Sequence, residues 1–367
     1  MLKLSDFTYH LPSELIATKP AVPRDHSKLL VTDRHTGQLT DAHFYDLPDF
    51  LHAGDLLVRN DSRVIKARLF GYKEETHGRV EILLNKPTST LNDRVIYECI
   101  VKPGLKKGQR VGFAATELKS TCVGFGDDGY TRLLQFNCSN SELLAILEKI
   151  GTVPLPPYMH HTALESNQFA DDYQTKYAVE PGSVAAPTAG LHFTPELDAQ
   201  LVQKGVEIAA VTLHVGLGTF LPVKTETITE HTMHAEHYAL SQNTAHQILK
   251  AKAEGRRVIA VGTTTTRVLE SAAYYTETGE LAFHTTESAA TDIFIYPPYQ
   301  FKVIDGLITN YHLPESTLLM LVSAFATSPQ TAHPFTSFSE TVIGAAYQHA
   351  IAQKYRFYSF GDALFIK

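Results

Sequence analysis

The chain has 367 residues, 44% of them hydrophobic and 19% charged, and a formal net charge of −7. This composition is typical of a folded globular protein, and the length exceeds what one hydrophobic core normally organises, so we expect two domains. The longest apolar run, LLMLVSAFA (318–326), has about half of the ~20 residues that a membrane span requires. Three cysteines without a CxxC pair predict neither a disulfide framework nor a thiolate zinc site, so we expect a cytoplasmic protein without a membrane segment.

The first part of the chain predicts two strands and then a set of strands of a different kind. KLLVTD (28–33) and GDLLVRND (54–61) are the first two strands. From 64 to 136, short strand-like runs separated by Gly, Pro, Asn and Asp predict an antiparallel sheet that closes into a small barrel. These runs are 64–72, 79–84, 95–101, 109–114, 118–125 and 130–136. A helix over 141–151 follows, with Ser141 as its N-cap and Gly151 after its end.

After residue 180 the pattern alternates between helix and strand. Thr194 caps a helix that Pro195 starts and Gly205 ends, and Ser241 and Ser316 open two further helices. The remaining predicted elements are strands at 206–215, 256–262, 292–296 and 306–312 and helices at 264–278 and 339–354. Alternation of this kind predicts a layered sheet with helices packed on it. We therefore expect an α/β domain built from both ends of the chain, 1–62 plus 152–367, with a small antiparallel β-barrel domain inserted at 63–151.

LHVGLGTF (213–220) contains a Gly-x-Gly directly after a predicted strand, but it does not match a dinucleotide fingerprint. That fingerprint needs a third glycine that opens a helix, and here the extended run TFLPV follows. A tight turn alone explains Gly216 and Gly218. VGTTTTRVLES (261–271) places hydroxyl groups and free N–H groups where a strand ends and a helix begins, which suits an anion or polar ligand, or simple N-capping.

Three other motifs carry ionisable side chains. HTMHAEHY (231–238) spaces three histidines in a way that fits no common zinc motif, so acid–base or hydrogen-bonding roles for His234 and Glu236 are favoured over a metal. TNYHLPEST (309–317) puts Asn310 and His312 where a strand ends, although turn chemistry around its proline is the alternative. VRNDSRVIKAR (58–68) indicates either phosphate contact or a solvated surface.

The net charge argues weakly against a nucleic-acid partner, but it is unevenly distributed. Residues 1–110 carry 17 Lys/Arg against 14 Asp/Glu, so the remainder of the chain is strongly acidic. A locally basic region on an acidic protein can still bind a few phosphates.

Taken together, these segments resemble the S-adenosylmethionine:tRNA ribosyltransferase-isomerase family of the queuosine pathway, almost from end to end. The inserted barrel is the least distinctive part. The matching blocks lie at 6–20, 24–31, 54–71, 173–178, 182–194, 213–223, 231–238, 260–271, 305–325 and 355–366.

The resemblance implies that S-adenosylmethionine is consumed as a ribosyl donor. Its ribosyl group is transferred to the amine of 7-aminomethyl-7-deazaguanine at the tRNA wobble position and rearranged, which gives epoxyqueuosine-tRNA, adenine and methionine. It also implies that the enzyme is a monomer with no metal and no bound organic cofactor. Proton transfer at three points suits histidines or carboxylates, and the candidates are His214, His234, Glu236 and His312.

The other expected site residues bind the substrates. Thr263, Thr264 and Arg267 are expected to hold the methionine carboxylate or ribose hydroxyls, and Gly216 and Gly218 to let a nucleoside lie against bare backbone. Candidates for the tRNA or deazaguanine side are Arg24, Asp25, Asn60, Asp61 and Arg63, and His192 and Asn310 complete the predicted binding set. A methyltransferase, a metal-dependent hydrolase built on the histidine cluster, and a catalytically silent RNA-binding module are the alternatives.

Overall fold

The structure is a computed structural model that describes residues 2–126, 129–154, 169–216, 218, 223–328 and 335–367. The chain divides into two compact units. The first consists of Met1–Ser62, Gln174–Glu180 and Pro187–Lys367, and the second of Arg63–Tyr173 and Pro181–Ala186. None of the helices in the described ranges is long and apolar enough to cross a membrane.

The first unit alternates strands and helices, as the sequence predicts. Its strands are β1 (Lys28–Thr32), β2 (Leu39–His43), β3 (Leu56–Asn60), β12 (Glu207–Leu213), β13 (Glu236–Leu240), β14 (Val258–Val261), β15 (Ala273–Tyr275), β16 (Leu281–Phe283), β17 (Thr286–Thr291), β18 (Gly306–Asn310) and β19 (Ala363–Ile366). Its helices are α1 (Leu47–Phe50), α3 (Pro195–Lys204), α4 (Gln242–Ala253), α5 (Gly262–Ala272), α6 (Thr317–Ala326) and α7 (Val342–Ala352).

Nine of these strands form one mixed sheet in the order β17-β13-β12-β3-β14-β18-β19-β1-β2. The four central strands, β12, β3, β14 and β18, are parallel to their neighbours in that group. Strand β13 is antiparallel to β12, and β19 is antiparallel to β18. The carboxyl ends of the central strands therefore share one edge of the sheet with the amino ends of β13 and β19.

Local sequence signals position the helices of this unit. Thr194 accepts the N–H of Leu197, Pro195 is the first residue of α3, and Gly205 closes the helix at φ 91°. Ser241 and Ser316 cap α4 and α6 in the same way. Helix α3 packs its apolar face on the sheet, where Leu197 and Leu201 join a core formed by residues from both ends of the chain.

The second unit is built around a closed antiparallel barrel of six strands in the order β10-β7-β6-β5-β8-β9. The barrel strands are β5 (Arg68–Lys73), β6 (Arg79–Leu91), β7 (Arg94–Lys102), β8 (Arg110–Gly112), β9 (Lys119–Phe125) and β10 (Arg132–Phe136). Helix α2 (Asn140–Ile150) follows the barrel, and two short strands, β4 (Ser62–Val64) and β11 (Glu180–Ser183), lie where the chain passes between the units. The expected α/β domain and inserted barrel are both present.

The structure differs from the sequence prediction at several elements. Ser139, not Ser141, caps α2, because Ser139 and Glu142 form a reciprocal capping box. Residues 152–154 and 169–173 group with the barrel unit, where Thr152 pairs with Arg68 through backbone hydrogen bonds. The predicted strand at 292–296 is absent; the strand that pairs with β13 is Thr286–Thr291. Helix α5 ends at Ala272 because the chain enters the hairpin of β15 and β16.

Candidate active site

The polar motifs of the sequence converge on the shared edge of the large sheet. Strands β3, β12, β14 and β18 end there, so the residues that follow them lie along one line. In open α/β sheets, ligands bind outside the carboxyl ends of the strands. This edge is therefore the candidate active site of the first unit.

Glu236 and Arg267 form a buried ion pair at this edge. Both side chains are 6% exposed, and Nη1 of Arg267 donates to Oε2 of Glu236. The second carboxylate oxygen accepts the N–H of Gly216 at 2.9 Å. Arg267 also donates to the carbonyl oxygens of Ile293 and Thr291. A charge pair with this many hydrogen bonds is held in a fixed orientation.

The ion pair forms part of the wall of a small cavity that is partly open to solvent. Its lining combines imidazole rings, one aromatic ring and aliphatic side chains. The lining residues are Gly218, His231, Met233, His234, Glu236, Arg267, Ile293, Phe294, Ile295, Thr317, Leu318 and Leu321. An apolar pocket with a few converging polar groups is the usual form of a small-molecule site.

His234 occupies the space where a side chain at position 218 would lie, so a glycine is the residue that fits there. A Cβ atom built on Gly218 would lie 2.7 Å from Cβ, Cγ and Cδ2 of His234. Contacts that short do not occur, so any side chain at 218 would displace the imidazole. The glycine and the histidine, 16 positions apart in the sequence, thus form one surface of the cavity.

His214 follows β12 and has an unused ring nitrogen. Its Nδ1 atom is buried and has no hydrogen-bond partner among the described residues, while its backbone N–H donates to the carbonyl of His237 at 2.9 Å. Burial lowers the pKa of His214, and the nearby His237 lowers it further. The imidazole is therefore neutral near pH 7, the form that can accept a proton.

The amino end of α5 presents polar groups directly after β14. Gly262 adopts φ 90°, which turns the chain from strand to helix. The hydroxyl of Thr265 donates to the carbonyl of Val261 at 2.7 Å. In contrast, Oγ1 of Thr264 is buried without a hydrogen-bond partner among the described residues. An unpaired hydroxyl beside the free N–H groups of a helix is available to a polar ligand.

His192 and Asn310 belong to a separate, fully hydrogen-bonded network. Nδ2 of Asn310 lies 3.1 Å from Nε2 of His192, and Nδ1 of His192 lies 2.7 Å from Oγ of Ser27. Thr188 donates to Oδ1 of Asn310 at 2.8 Å, so the amide group must donate to Nε2 and the imidazole proton lies on Nδ1. Burial lowers the pKa of His192 to about 4, so the ring stays neutral.

His312 is buried in the same unit and is not among the residues that line the cavity. Its Nε2 atom is 2.8 Å from the hydroxyl of Thr309. Its backbone N–H donates to the hydroxyl of Tyr347, and its backbone carbonyl accepts a hydrogen bond from the hydroxyl of Tyr9. Burial lowers its pKa to about 3. This position favours a packing role.

Comparison with known proteins identifies the family. The sequence pattern of the family described as queuosine biosynthesis protein matches residues 4–366. This chain belongs to that family. It is 49% identical over its full length, and over the full length of the relative, to a protein of Desulfitobacterium hafniense (strain DSM 10664 / DCB-2) named S-adenosylmethionine:tRNA ribosyltransferase-isomerase. It is also similar to the crystal structure of S-adenosylmethionine tRNA ribosyltransferase from Thermotoga maritima, with 36% identity, a TM-score of 0.52, and 99% of this chain and 100% of that chain covered.

Four further residues predicted for the site of this queuosine-family protein serve the loops around the edge. Both amide atoms of Asn60 are used by the backbone of Leu213, each at 3.0 Å. Asp61 accepts the hydroxyl of Thr212, and burial raises its pKa. Arg24 and Asp25 precede β1; Arg24 donates to the carbonyl of Gln174 and Asp25 accepts the hydroxyl of Thr194.

The remaining predicted residues have simpler surroundings. Thr263 is buried in the first turn of α5. Arg63 is exposed and belongs to the barrel unit. Among the residues that the structure describes, no group of three or more His, Cys, Asp or Glu side chains could hold a metal ion.

Sequence reasoning overlooked the apolar part of the cavity wall in this family member. Phe294 and its two isoleucine neighbours lie in the stretch predicted as a strand, and Leu318 and Leu321 lie in the helix that Ser316 was predicted to open. Ser27 and Asp362 were also missed; Asp362 is 2% exposed and binds both Arg356 and the N–H of Lys28. Their only signal in the sequence is their position inside the matching blocks.

Proposed function

We propose that this chain transfers and isomerises the ribosyl moiety of S-adenosylmethionine onto the 7-aminomethyl group of 7-deazaguanine at the tRNA wobble position. The products are epoxyqueuosine-tRNA, adenine and methionine. The observation that carries the proposal is the 49% identity, over the whole of both chains, to a protein that bears the name of this activity. A monomer without a bound metal or organic cofactor is part of the proposal.

The reaction requires three proton transfers, and each one sets a requirement on the site. The sulfonium makes the neighbouring C5′ hydrogens acidic, so a base can remove one of them to form an ylide. Adenine needs a proton or a hydrogen bond as it departs. The incoming aminomethyl group must lose its proton before its nitrogen lone pair can attack.

The cavity beside Glu236 suits the S-adenosyl group. An adenosyl group needs a flat apolar surface, which Phe294 and the aliphatic residues supply, and a sulfonium favours a carboxylate or an aromatic face nearby. The ion pair with Arg267 fixes the orientation of the Glu236 carboxyl group, which is assigned to accept the C5′ proton. The hydrogen bond from the N–H of Gly216 to Glu236 and the close approach of Gly218 to His234 fix the groups around the carboxyl group.

The proton from the aminomethyl group is assigned to His214. Its ring is neutral, and its Nδ1 atom has no protein partner in the described chain. The hydroxyl of Thr264, likewise unpaired, is assigned to a ribose hydroxyl or to the methionine carboxylate at the amino end of α5. The imidazole of His234, exposed at the cavity, is the candidate that donates to adenine.

The decisive experiment incubates the protein with S-adenosylmethionine and tRNA that carries the 7-aminomethyl-7-deazaguanine base. Adenine and methionine should appear in step with a nucleoside of the mass of epoxyqueuosine. Formation of S-adenosylhomocysteine instead would support the methyltransferase alternative and overturn the proposal. Loss of activity upon chelation, with restoration by a metal, would support the hydrolase alternative.

Variants test the roles of individual residues. His214→Ala, His234→Ala and Glu236→Gln are each expected to lower kcat by about 10²–10⁴-fold, the usual contribution of a positioned acid or base. Two exposed residues of the same unit supply matched controls, His284→Ala and Glu280→Gln, which should keep wild-type turnover. If Glu236→Gln and His234→Ala both leave turnover within a few-fold of the wild type, the assignment of roles is wrong.

A further inference from the structure

The interior of the barrel is filled by its own side chains. Inward-facing residues of all six strands are buried, and apart from Ser120 they are apolar or cysteine. They include Leu69, Val80, Ile82, Leu84, Val95, Cys99, Val111, Cys122 and Leu134. A small barrel with a packed interior can bind a partner only through its outer surface.

Strand β5 places two aromatic rings on that outer surface. Along the strand, Leu69 and Gly71 are buried, while Phe70 and Tyr72 are 39% and 42% exposed. Alternate residues of a strand point to the same face and lie about 7 Å apart. The two rings are therefore neighbours on one face, and each has a surface open to solvent.

The space beside Tyr72 is empty because the residue opposite it on β8 is a glycine. Tyr72 lies opposite Gly112 in the antiparallel pairing, and a Cβ atom built on Gly112 would meet no atom within 4 Å. Gly112 does not adopt a positive φ, so the backbone does not require a glycine there. The absence of a side chain at 112 thus leaves open space on the strand directly opposite Tyr72.

The charges around the two rings are predominantly positive. Residues 63–136, which include all six barrel strands, contain 13 Lys/Arg and 8 Asp/Glu. The guanidinium of Arg68 lies 5.1 Å from the centre of the Phe70 ring, and Arg79 is opposite Tyr72 on β6. Arg68 also pairs with Glu81, the acidic residue opposite Phe70, at 2.7 Å.

The acidic residue that directly follows β5 is also paired with basic side chains. Glu74, which follows β5, pairs with Arg110 at 3.0 Å and with Lys119 at 2.9 Å. Arg79 itself has no acidic partner among the described residues. Exposed aromatic rings between cations are the usual means of binding single-stranded nucleic acid, because bases stack on the rings and phosphates lie near the cations.

We propose that Phe70 and Tyr72, flanked by Arg68 and Arg79 and with Gly112 beside Tyr72, form a stacking surface for unpaired bases of the tRNA substrate. This inference rests on the proposed function, which supplies the RNA. The positive charge of the barrel favours RNA as the partner. An apolar protein partner is disfavoured, because two rings within a charged rim provide stacking area but no continuous apolar patch.

The test measures binding of an anticodon stem-loop RNA that carries the 7-aminomethyl-7-deazaguanine base. Phe70→Leu and Tyr72→Leu are each expected to raise Kd about tenfold, and Tyr72→Phe, which keeps the ring, should bind within about twofold of the wild type. Tyr275→Leu is the matched control, because Tyr275 is a more exposed tyrosine, 52%, on a strand of the other unit; its Kd should not change. Arg79→Gln should reduce the salt dependence of binding by about one phosphate contact.

Gly112→Val separates RNA binding from folding. Valine is favourable in a strand and has room at this position, so the variant should unfold at the wild-type temperature or above. By filling the space opposite Tyr72, it should nevertheless raise the Kd for the RNA about fivefold or more. If Gly112→Val and the double variant Phe70→Leu/Tyr72→Leu both bind the RNA as the wild type does, the stacking surface is refuted.

The same experiments distinguish this inference from the proposed function. Adenine release by the wild-type protein with the modified tRNA tests the function alone. If the wild type releases adenine and the double variant has an unchanged KM for the tRNA, the function stands and the stacking surface does not. If KM for the tRNA rises while turnover at saturating tRNA is retained, both stand.

Discussion

The buried pair of Glu236 and Arg267 supports a quantitative prediction. Replacing Arg267 with methionine keeps most of the volume of the side chain but leaves the carboxylate of Glu236 buried without its counter-ion. Two hydrogen bonds to backbone carbonyl groups are lost as well. Removing one partner of a buried ion pair usually costs about 3–5 kcal/mol of unfolding free energy. In a folding unit of roughly 250 residues, that corresponds to a decrease in Tm of roughly 6–20 °C.

The assay is urea and thermal unfolding of Arg267→Met, followed by circular dichroism. The exposed helical pair Lys250–Glu254 supplies a control, because Lys250→Met should change stability by no more than about 0.5 kcal/mol. The double variant Glu236→Gln/Arg267→Met should be more stable than Arg267→Met alone, since it retains no unpaired charge. The reasoning is refuted if Arg267→Met is within 1 kcal/mol of the wild type, or if removing the carboxylate from it restores no stability.

Three further predictions concern other positions. Gly218→Ala should raise KM for S-adenosylmethionine about tenfold, because the new Cβ clashes with Cβ and the ring of His234 and shifts that residue; an unchanged KM in the adenine-release assay would contradict this. His192 has a folded pKa of about 4, below its unfolded value of about 6.5, so the unfolded state binds the extra proton and stability should fall as pH decreases through this range. His192→Gln should reduce that slope by up to about 1.4 kcal/mol per pH unit, and an identical pH profile would count against it. Thr194→Ala should cost about 1 kcal/mol in urea unfolding through loss of the α3 cap, whereas no loss would show that the cap does not contribute.

Much of the fold could be predicted from the sequence because its signals are local. Thr194, Pro195 and Gly205 specify the start and end of α3 through capping geometry that involves only adjacent residues. The close spacing of strand-like runs between 64 and 136 predicted the barrel, and the alternation after 180 predicted the layered sheet. The capping box of Ser139 and Glu142 is also a local signal, because the two residues are three positions apart, and it overrides Ser141 as the N-cap.

The strand prediction at 292–296 is wrong for a reason that local sequence cannot reveal. Its alternating apolar residues have the pattern of a strand, but Phe294 and its neighbours line the cavity instead of pairing in the sheet. The segment that does pair, TESAAT (286–291), is polar because it forms the outermost strand next to β13. Periodicity reports which side chains are covered, whereas strand pairing depends on which backbone segment reaches a partner.

The sequence alone determined most of the elements, the architecture and, through its ordered blocks, the family. It also named most of the polar groups at the sheet edge, including His214, Glu236 and Arg267. Only the tertiary structure decided how those groups are used. Glu236 and Arg267 are 31 positions apart and meet because the amino end of β13 and the helix that follows β14 lie at one edge of the sheet. His192 and His312 instead form hydrogen bonds with partners that the fold supplies. Composition and spacing carry local preferences, but the partner of a buried polar group is set by packing over long sequence separations.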